Sequence, residues 1–247
     1  MKTKRKIMTL TLPGNDPIRQ ILHEKDWKYQ LTLDELNEIF TPLSPAERIE
    51  ALYTFFDEAK VLYTSSFGTK SVFLLHLISQ VRPSQKVHFI DTTFHFPETL
   101  AYRDRLAREF GFELVNVTPH PGMNEVARSE KLWTTDRDLC CSVHKVLPLE
   151  PIKAEHDVWI SGLMGYQTPE RAGTRVFEEK NGIVKFHPII DVAEGDHLYY
   201  MGKNKLPQHP LEAQGYGSIG CEHCTRPGKG REGRWSGDAK KECGLHV

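Results

Sequence analysis

Apolar residues follow two different rhythms along this chain, and the change falls near residue 60. Before it, Ser44-Pro45-Ala46-Glu47 has the form of a capping box, with serine as N-cap, proline at the first helical position and glutamate at the third. Ile49, Leu52, Phe55 and Phe56 then recur at helical spacing. Residues 1–58 are therefore expected to form a mostly helical lead-in packed on the main domain. From Lys60 onward, short apolar runs alternate with longer amphipathic ones. Val61–Thr64 reads as a buried strand, Ser65–Ser71 as a turn, Val72–Val81 as an apolar helix and Lys86–Asp91 as a second strand. A further helix is expected from about Pro97 to Phe110, stopping at Gly111, followed by a strand over 113–117 and another over 158–161. After Lys185-Phe186-His187-Pro188 the pattern predicts a polar, loop-rich stretch as far as Gly215. Strands alternating with helices imply βαβ units, an α/β fold and a parallel sheet. Ligands of such sheets bind beyond the carboxyl ends of the strands, which puts loops 65–71, 91–97 and the one after Ser161 on one face.

Composition changes this picture little. The 247 residues are 39% hydrophobic and 26% charged, with a formal net charge of −1. Such a chain can bury a large core and has no global attraction for nucleic acid or an anionic membrane. The start, MKTKRKIMTLTLPG, has too short and broken an apolar run for a secretory signal, and no stretch approaches the roughly 20 apolar residues of a membrane helix. A cytoplasmic protein is expected.

The chemistry begins in the loops. Ser65-Ser66-Phe67-Gly68-Thr69-Lys70-Ser71 joins hydroxyls and a glycine to a helix start, where backbone N–H groups and the helix dipole favour a phosphate or sulfate. Its glycine spacing is not that of a Walker A loop. Asp91 and Thr92, at the end of the next strand, are placed to contact a nucleoside or merely to cap a helix. Arg171, in the loop after the strand at 158–161, is a candidate anion clamp.

Five cysteines divide naturally into four and one. Cys140-Cys141 and Cys221-x-x-Cys224 suit structural zinc or an iron–sulfur cluster. Adjacent cysteines strain a compact tetrahedral zinc site, whereas the separate irons of a [4Fe–4S] cube accept one each, so the cluster is favoured. A helix over 141–152 would put Lys145 on the face of Cys141, where it could offset cluster charge and face a substrate anion. The glycines of Gly215-Tyr216-Gly217-Ser218-Ile219-Gly220 would let the backbone approach the cluster closely. Beyond Thr225 a Gly-, Lys- and Arg-rich segment leads to Cys243, four residues from the end of the sequence. The 19 residues from Cys224 to Cys243 could span up to roughly 60 Å. They would serve as a cationic, hinged lid carrying a nucleophile.

These motifs together resemble the assimilatory sulfonucleotide reductases, specifically the iron–sulfur branch that acts on adenylyl sulfate (APS). The resemblance runs from about residue 58 to the end. It rests on Ser65-Ser66-Phe67-Gly68, Asp91-Thr92, Cys140-Cys141 with Lys145, Ser218-Ile219-Gly220-Cys221 with Cys224, Gly233-Arg234-Trp235, and Glu242-Cys243-Gly244-Leu245-His246. In place of two arginines typical of the family, this chain has Met164-Gly165.

The resemblance implies a three-layer α/β fold with a parallel twisted sheet of the PP-loop, adenine nucleotide alpha hydrolase-like type. Its expected divisions are 1–58, a sulfonucleotide- and cluster-binding domain over 59–225, and a flexible lid over 226–247. It also implies that Cys243 attacks the sulfur of APS, releases AMP and carries an S-sulfocysteine that thioredoxin or glutaredoxin resolves to sulfite. Lys145, Arg171, Arg231, Arg234 and His246 would surround the anions, and one [4Fe–4S] cluster on the four cysteines would be electrostatic and structural. The pathway implied is sulfate assimilation toward cysteine; a homo-oligomer is compatible with it. Two other readings are open to the residues. One is an ATP-using PP-loop enzyme, although Phe67 and Lys70 replace its second glycine and aspartate. The other is a zinc-stabilised nucleotide-binding regulator in which Cys243 is incidental.

Overall fold

The computed structural model describes residues 31–235, 240 and 242–245. The sheet is built from β1 (Val61–Tyr63), β2 (Val87–Ile90), β3 (Leu114–Val117), β4 (Val158–Ile160), β5 (Phe177–Lys180) and β6 (Ile183–Phe186). One part runs in the order β1-β4-β6-β5 and the other pairs β2 with β3. A parallel bridge between Thr64 and His88 joins them, with the Ser65 N–H donating to the His88 carbonyl at 3.1 Å. Across the joined sheet the order is therefore β3-β2-β1-β4-β6-β5. Every pairing is parallel except that of the edge strand β5 with β6.

The helices that precede, connect and follow these strands include α1 (Leu33–Phe40), α2 (Pro45–Phe55), α3 (Ser71–Val81), α4 (Pro97–Phe110), α5 (Pro121–Ser129), α6 (Arg137–Cys141), α7 (Leu147–Ala154), α8 (Pro169–Ala172) and α9 (Glu194–Lys203). The main core sets Leu36, Phe40, Ile49, Leu52, Leu74 and Leu106 of α1–α4 against Val61, Tyr63, Val158, Ile160 and Phe186 of the sheet. On the other face Leu62, Trp159 and Ile183 pack with Leu149 of α7. Alternate strand residues thus supply two separate apolar layers, as the two-residue period of a strand requires, and the fold has three layers.

Of the lead-in expected over 1–58, residues 31–58 carry α1 and α2, and 1–30 lie outside the described residues. Ser44 caps α2 through Glu47 as its spacing predicts. The Phe40 ring sits edge-on to Phe177 at 4.8 Å and to Phe186 at 5.8 Å, which seats the lead-in over β5 and β6. Asn37 accepts from the Phe177 N–H and donates to the Phe177 carbonyl, both at 2.9 Å, satisfying the backbone of a strand that lies at the sheet edge among the described residues.

Three features differ from the sequence expectation. A β5–β6 hairpin turns at Asn181 (φ 57°) and Gly182 (φ 73°), the left-handed pair that a tight hairpin needs. The stretch expected to be loop-rich after Pro188 contains α9. Finally, the helix expected over 141–152 is not regular. Residues Ser142–Val146 form a widened π turn between α6 and α7, next to Pro148 and Pro151, which lack the N–H donors a regular ladder requires. Among the described residues, no helix is long and apolar enough to cross a membrane.

Candidate active site

The chain leaves β1 toward β2 and β3 on one side, then returns to add β4 on the other. That reversal lies between β1 and β4, the position where open parallel sheets bind ligands. The loops after these two strands border a cavity of about 440 Å³ at the carboxyl end of the sheet, a volume within the range of small-molecule sites. Of the residues singled out from sequence, Ser65, Ser66, Gly68, Thr92, Lys145, Arg171, Arg231, Arg234 and Cys243 all line it. Phe67 and Asp91 do not, and His246 lies outside the described residues.

Phe67 and Asp91 shape the wall from behind. Phe67 is fully buried, edge-on to Phe89 at 5.7 Å, and holds a left-handed backbone (φ 48°) that a bulky residue rarely adopts. Its ring is an anchor that bends the loop, and its N–H donates to Ser65 Oγ at 3.2 Å. The first turn of α3 carries no side-chain cap, which leaves its N-terminal N–H groups to the cavity that Lys70 and Ser71 line. Asp91 accepts from the Thr93 N–H at 2.9 Å, an ordinary turn-capping bond.

The glycines at 215–220 serve a different purpose from the one expected. A Cβ on Gly217 would lie 2.5 Å from the Gly230 nitrogen and 2.8 Å from the Gly228 carbonyl, and one on Gly220 would collide with the Arg234 guanidinium. They admit the 228–234 segment rather than the cysteines. That segment is bound by bridges pairing Tyr216 with Gly228 and Thr225 with Arg234, and it ends on the buried Trp235. Arg234 lies over the Trp235 ring at 4.4 Å.

A second, narrow cavity adjoins the first and is lined by Cys140, Cys141, Cys221 and Cys224, with Phe94, Trp133 and His223 among its walls. Trp133 and His223 stack at 4.3 Å. Burial pushes the Cys140 thiol up to about 12 and raises Cys141 and Cys224 as well. Among the described residues, no three His, Cys, Asp or Glu side chains converge so as to hold a single metal ion. Four sulfurs around one aromatic-walled space nevertheless have the donor chemistry of a polynuclear iron–sulfur site.

Lys145 and Cys221 line both cavities. The Lys145 ammonium lies 3.7 Å from Cys141 Sγ, and Thr92 Oγ1 lies 3.3 Å from Cys221 Sγ. Burial opposes charge on Lys145, but the thiols of Cys221, Cys243 and Cys141 outweigh it and hold the ammonium above its ordinary pKa.

Cys243 reaches the first cavity with its neighbours pinned. Arg171 donates to Glu242 Oε1 from Nε at 2.8 Å and from Nη2 at 2.6 Å, and Arg231 donates to Oε2 at 2.9 Å. Burial lowers the Arg231 pKa to about 10, against the opposing effect of Glu242. Gln167 accepts from Arg171 Nη1 at 2.5 Å. Where two arginines are expected, Met164 is buried in the core, and a Cβ on Gly165 would lie 2.9 Å from the Ile190 carbonyl, so this backbone leaves no room there for an arginine.

Residues 60–227 match the model of the phosphoadenosine phosphosulfate reductase domain. The chain belongs to that family. Among curated relatives, the adenosine 5'-phosphosulfate reductase of Bacillus cereus (strain 03BB102) is 40% identical over 198 residues, covering 76% of this chain and 85% of the relative. The protein of the same name from Bacillus mycoides (strain KBAB4) is 40% identical over 196 residues, covering 76% and 84%. In three dimensions, the phosphoadenylyl-sulfate (PAPS) reductase from Candida auris, solved as a phosphate complex, superposes with a TM-score of 0.67. It is 26% identical and covers 79% of this chain and 98% of that one. Yeast FAD synthetase shares the fold alone, with a TM-score of 0.53 at 12% identity over 85% of this chain and 72% of that one. Membership of this reductase family makes the chain an enzyme and accounts for a nucleotide-sized cavity at the switch point of a PP-loop-like sheet. Several residues around that cavity were not singled out from sequence. Thr69 Oγ1 donates to the Gly217 carbonyl at 3.1 Å, tying the anion loop to the glycine stretch. Lys185 is buried in β6 and reaches the tail; its signal in the sequence is a lone charge within Ile183-Val184-Lys185-Phe186.

Proposed function

We propose that this reductase converts APS to sulfite and AMP through a covalent intermediate on Cys243, with thioredoxin or glutaredoxin as the electron donor. The observation that carries this reading is the placement of the Cys243 thiol in one cavity with the anion loop after β1 and with Lys145, Arg171, Arg231 and Arg234. A thiolate and a phosphosulfate repel each other, and the reaction needs fixed cations around both.

The Cys243 thiolate forms a bond to the sulfur of APS as the bond from that sulfur to the AMP oxygen breaks. AMP leaves with the electron pair, and the enzyme holds an S-sulfocysteine. The Ser65–Ser71 loop and the open N-terminus of α3 suit the 5' phosphate, which carries growing charge as the leaving group departs. Lys145 and Arg234, which line the same cavity, would meet the sulfonate. A thiolate of the dithiol donor next attacks Cys243 Sγ and displaces sulfite. Its second thiol then resolves the mixed disulfide, so two electrons pass from donor to sulfur and Cys243 is regenerated.

Cys140, Cys141, Cys221 and Cys224 would hold a [4Fe–4S] cluster, which when bound supplies structural support and a local charge that Lys145 balances. The names and identities of the Bacillus relatives support APS over its 3'-phosphorylated counterpart. The role belongs to sulfate assimilation toward cysteine in the cytoplasm. Coupled assays of AMP and sulfite, with APS and reduced thioredoxin, test the reading. Turnover that disappears in Cys243→Ser is expected; turnover retained in that variant would overturn it.

A further inference from the structure

The cysteine cavity has a cover of its own. Trp133 comes from a single helical turn, Leu132–Thr135, ahead of Cys140-Cys141, and His223 stands between Cys221 and Cys224. Their rings lie 4.3 Å apart and 13° from parallel, so the stack joins the segment carrying one cysteine pair to the loop carrying the other. Phe94 meets both rings at 5.2 Å, and Arg128 lies over Phe94 at 4.5 Å. Backbone bonds hold these pieces. Arg137 Nε donates to the Trp133 carbonyl at 3.2 Å, and the Glu222 N–H donates to the Phe94 carbonyl at 2.8 Å. His223 is exposed and Trp133 half-buried, whereas Phe94, Cys140, Cys141 and Cys221 are all buried. The stack is therefore the outer wall of the cavity and the sulfurs lie beneath it. Neither ring lines the nucleotide cavity, so the sulfur-transfer reaction leaves both without a role.

We propose that the Trp133–His223 stack is a lid over the metal centre of the four cysteines, and that it sets how fast that centre is lost to solvent and chelators. This rests on the reading of those cysteines as metal ligands. Metal leaves a thiolate site by ligand exchange, which needs an outside molecule to reach the metal or its sulfurs, and solvent exposure of such a site is controlled by its shell. A cover held by one aromatic pair opens locally, without unfolding the chain. Losing that pair raises the open population about three- to ten-fold, and the rate of metal loss should rise in proportion. Trp133 and His223 are thus shielding residues that touch neither nucleotide nor nucleophile.

The test uses full-length protein with its metal, kept anaerobic at one pH. Excess EDTA is added, samples are desalted at intervals, and the metal retained is measured by elemental analysis beside the visible absorbance. His223→Ala and Trp133→Ala are expected to lose metal about three- to ten-fold faster than the parent. His223→Phe keeps a stacking ring and should hold the parental rate. The double alanine variant should match Trp133→Ala alone, because either change removes the same stack. Arg48→Met, which weakens the fold away from this cavity, should also release metal at the parental rate. Unchanged release in the alanine variants would overturn the lid. So would equal acceleration in His223→Ala and His223→Phe, or a rise in Arg48→Met that matches theirs. The exposed position of His223 keeps its two variants comparable should Trp133→Ala fail to fold. Failure of the ligand reading is seen separately, before EDTA is added: parent protein without bound metal would overturn it, and zinc in place of iron would contradict the cluster while leaving the release comparison valid.

Discussion

Arg171 and Glu242 are joined by two hydrogen bonds to one carboxylate oxygen, at 2.6 and 2.8 Å, with side chains only 8% and 11% exposed. The guanidinium that sequence marks as an anion clamp is thus engaged by the residue immediately before Cys243. It binds the chain's own anion and fixes where the thiol stands. Removing a positioned, buried cation costs on the order of a hundred-fold in rate. Arg171→Met is therefore expected to lower kcat/KM for APS about a hundred-fold, and Glu242→Gln, which keeps an acceptor of the same shape, by about ten-fold. Steady-state kinetics on the two variants checks the order; equal losses would put the role of Arg171 elsewhere.

Arg48 has the opposite role. Its guanidinium is 2% exposed, pairs with both oxygens of Asp191 at 2.6 Å, and donates to the carbonyls of Phe40, Thr41 and Pro188. Removing it strands three carbonyls near the lead-in helices and frees Asp191 to water. Arg48→Met is expected to cost about 3 kcal/mol of stability, measured by urea unfolding, with little change in kcat at low temperature.

Acid should weaken the fold through two histidines. His197 and His209 are each 1% exposed, and burial holds both down to about 4. Lys70 pushes His197 further down, whereas Glu98 opposes the shift at His209. Unfolded, both titrate near ~6.5. Between these values the unfolded chain binds more protons, so their contribution is complete above about 6.5 and is lost as pH falls toward 4. His209→Asn should flatten the decline in unfolding free energy between about pH 7 and pH 5; an unchanged slope would contradict the assignment.

The cysteine cavity makes a compositional prediction. Anaerobically purified protein is expected to carry about four iron and four sulfide per chain, and Cys224→Ser to lose most of both. One tightly bound zinc, with no iron and no visible absorbance, would contradict the cluster.

Much of the scaffold was legible because local rules and tertiary packing agree. β1, α3, β2, α4, β3 and β4 alternate as the apolar runs do, and α4 stops at Gly111, whose φ of 75° suits a left-handed C-cap. The β5–β6 hairpin carried its own signal in Asn181-Gly182. α9 was harder to see: Gly195 and Gly202 lie within it, and Leu198 and Tyr199 are exposed, so no clear apolar stripe marks it. At the site, the residue types could be read but their partners could not. Arg171 and Glu242 are 71 positions apart, and Lys185 and Leu245 are 60 apart, so only the folded sheet reveals which acceptor each cation meets.

The most direct measurement is intact-protein mass spectrometry after anaerobic mixing with APS and no reductant, beside Cys243→Ser and a sample given PAPS. The expected result is a gain of about 80 Da localised to Cys243, absent from the variant and removed by reduced thioredoxin. No adduct from either nucleotide, on protein kept anaerobic throughout, would contradict the covalent mechanism, and an adduct with PAPS alone would contradict the proposed substrate.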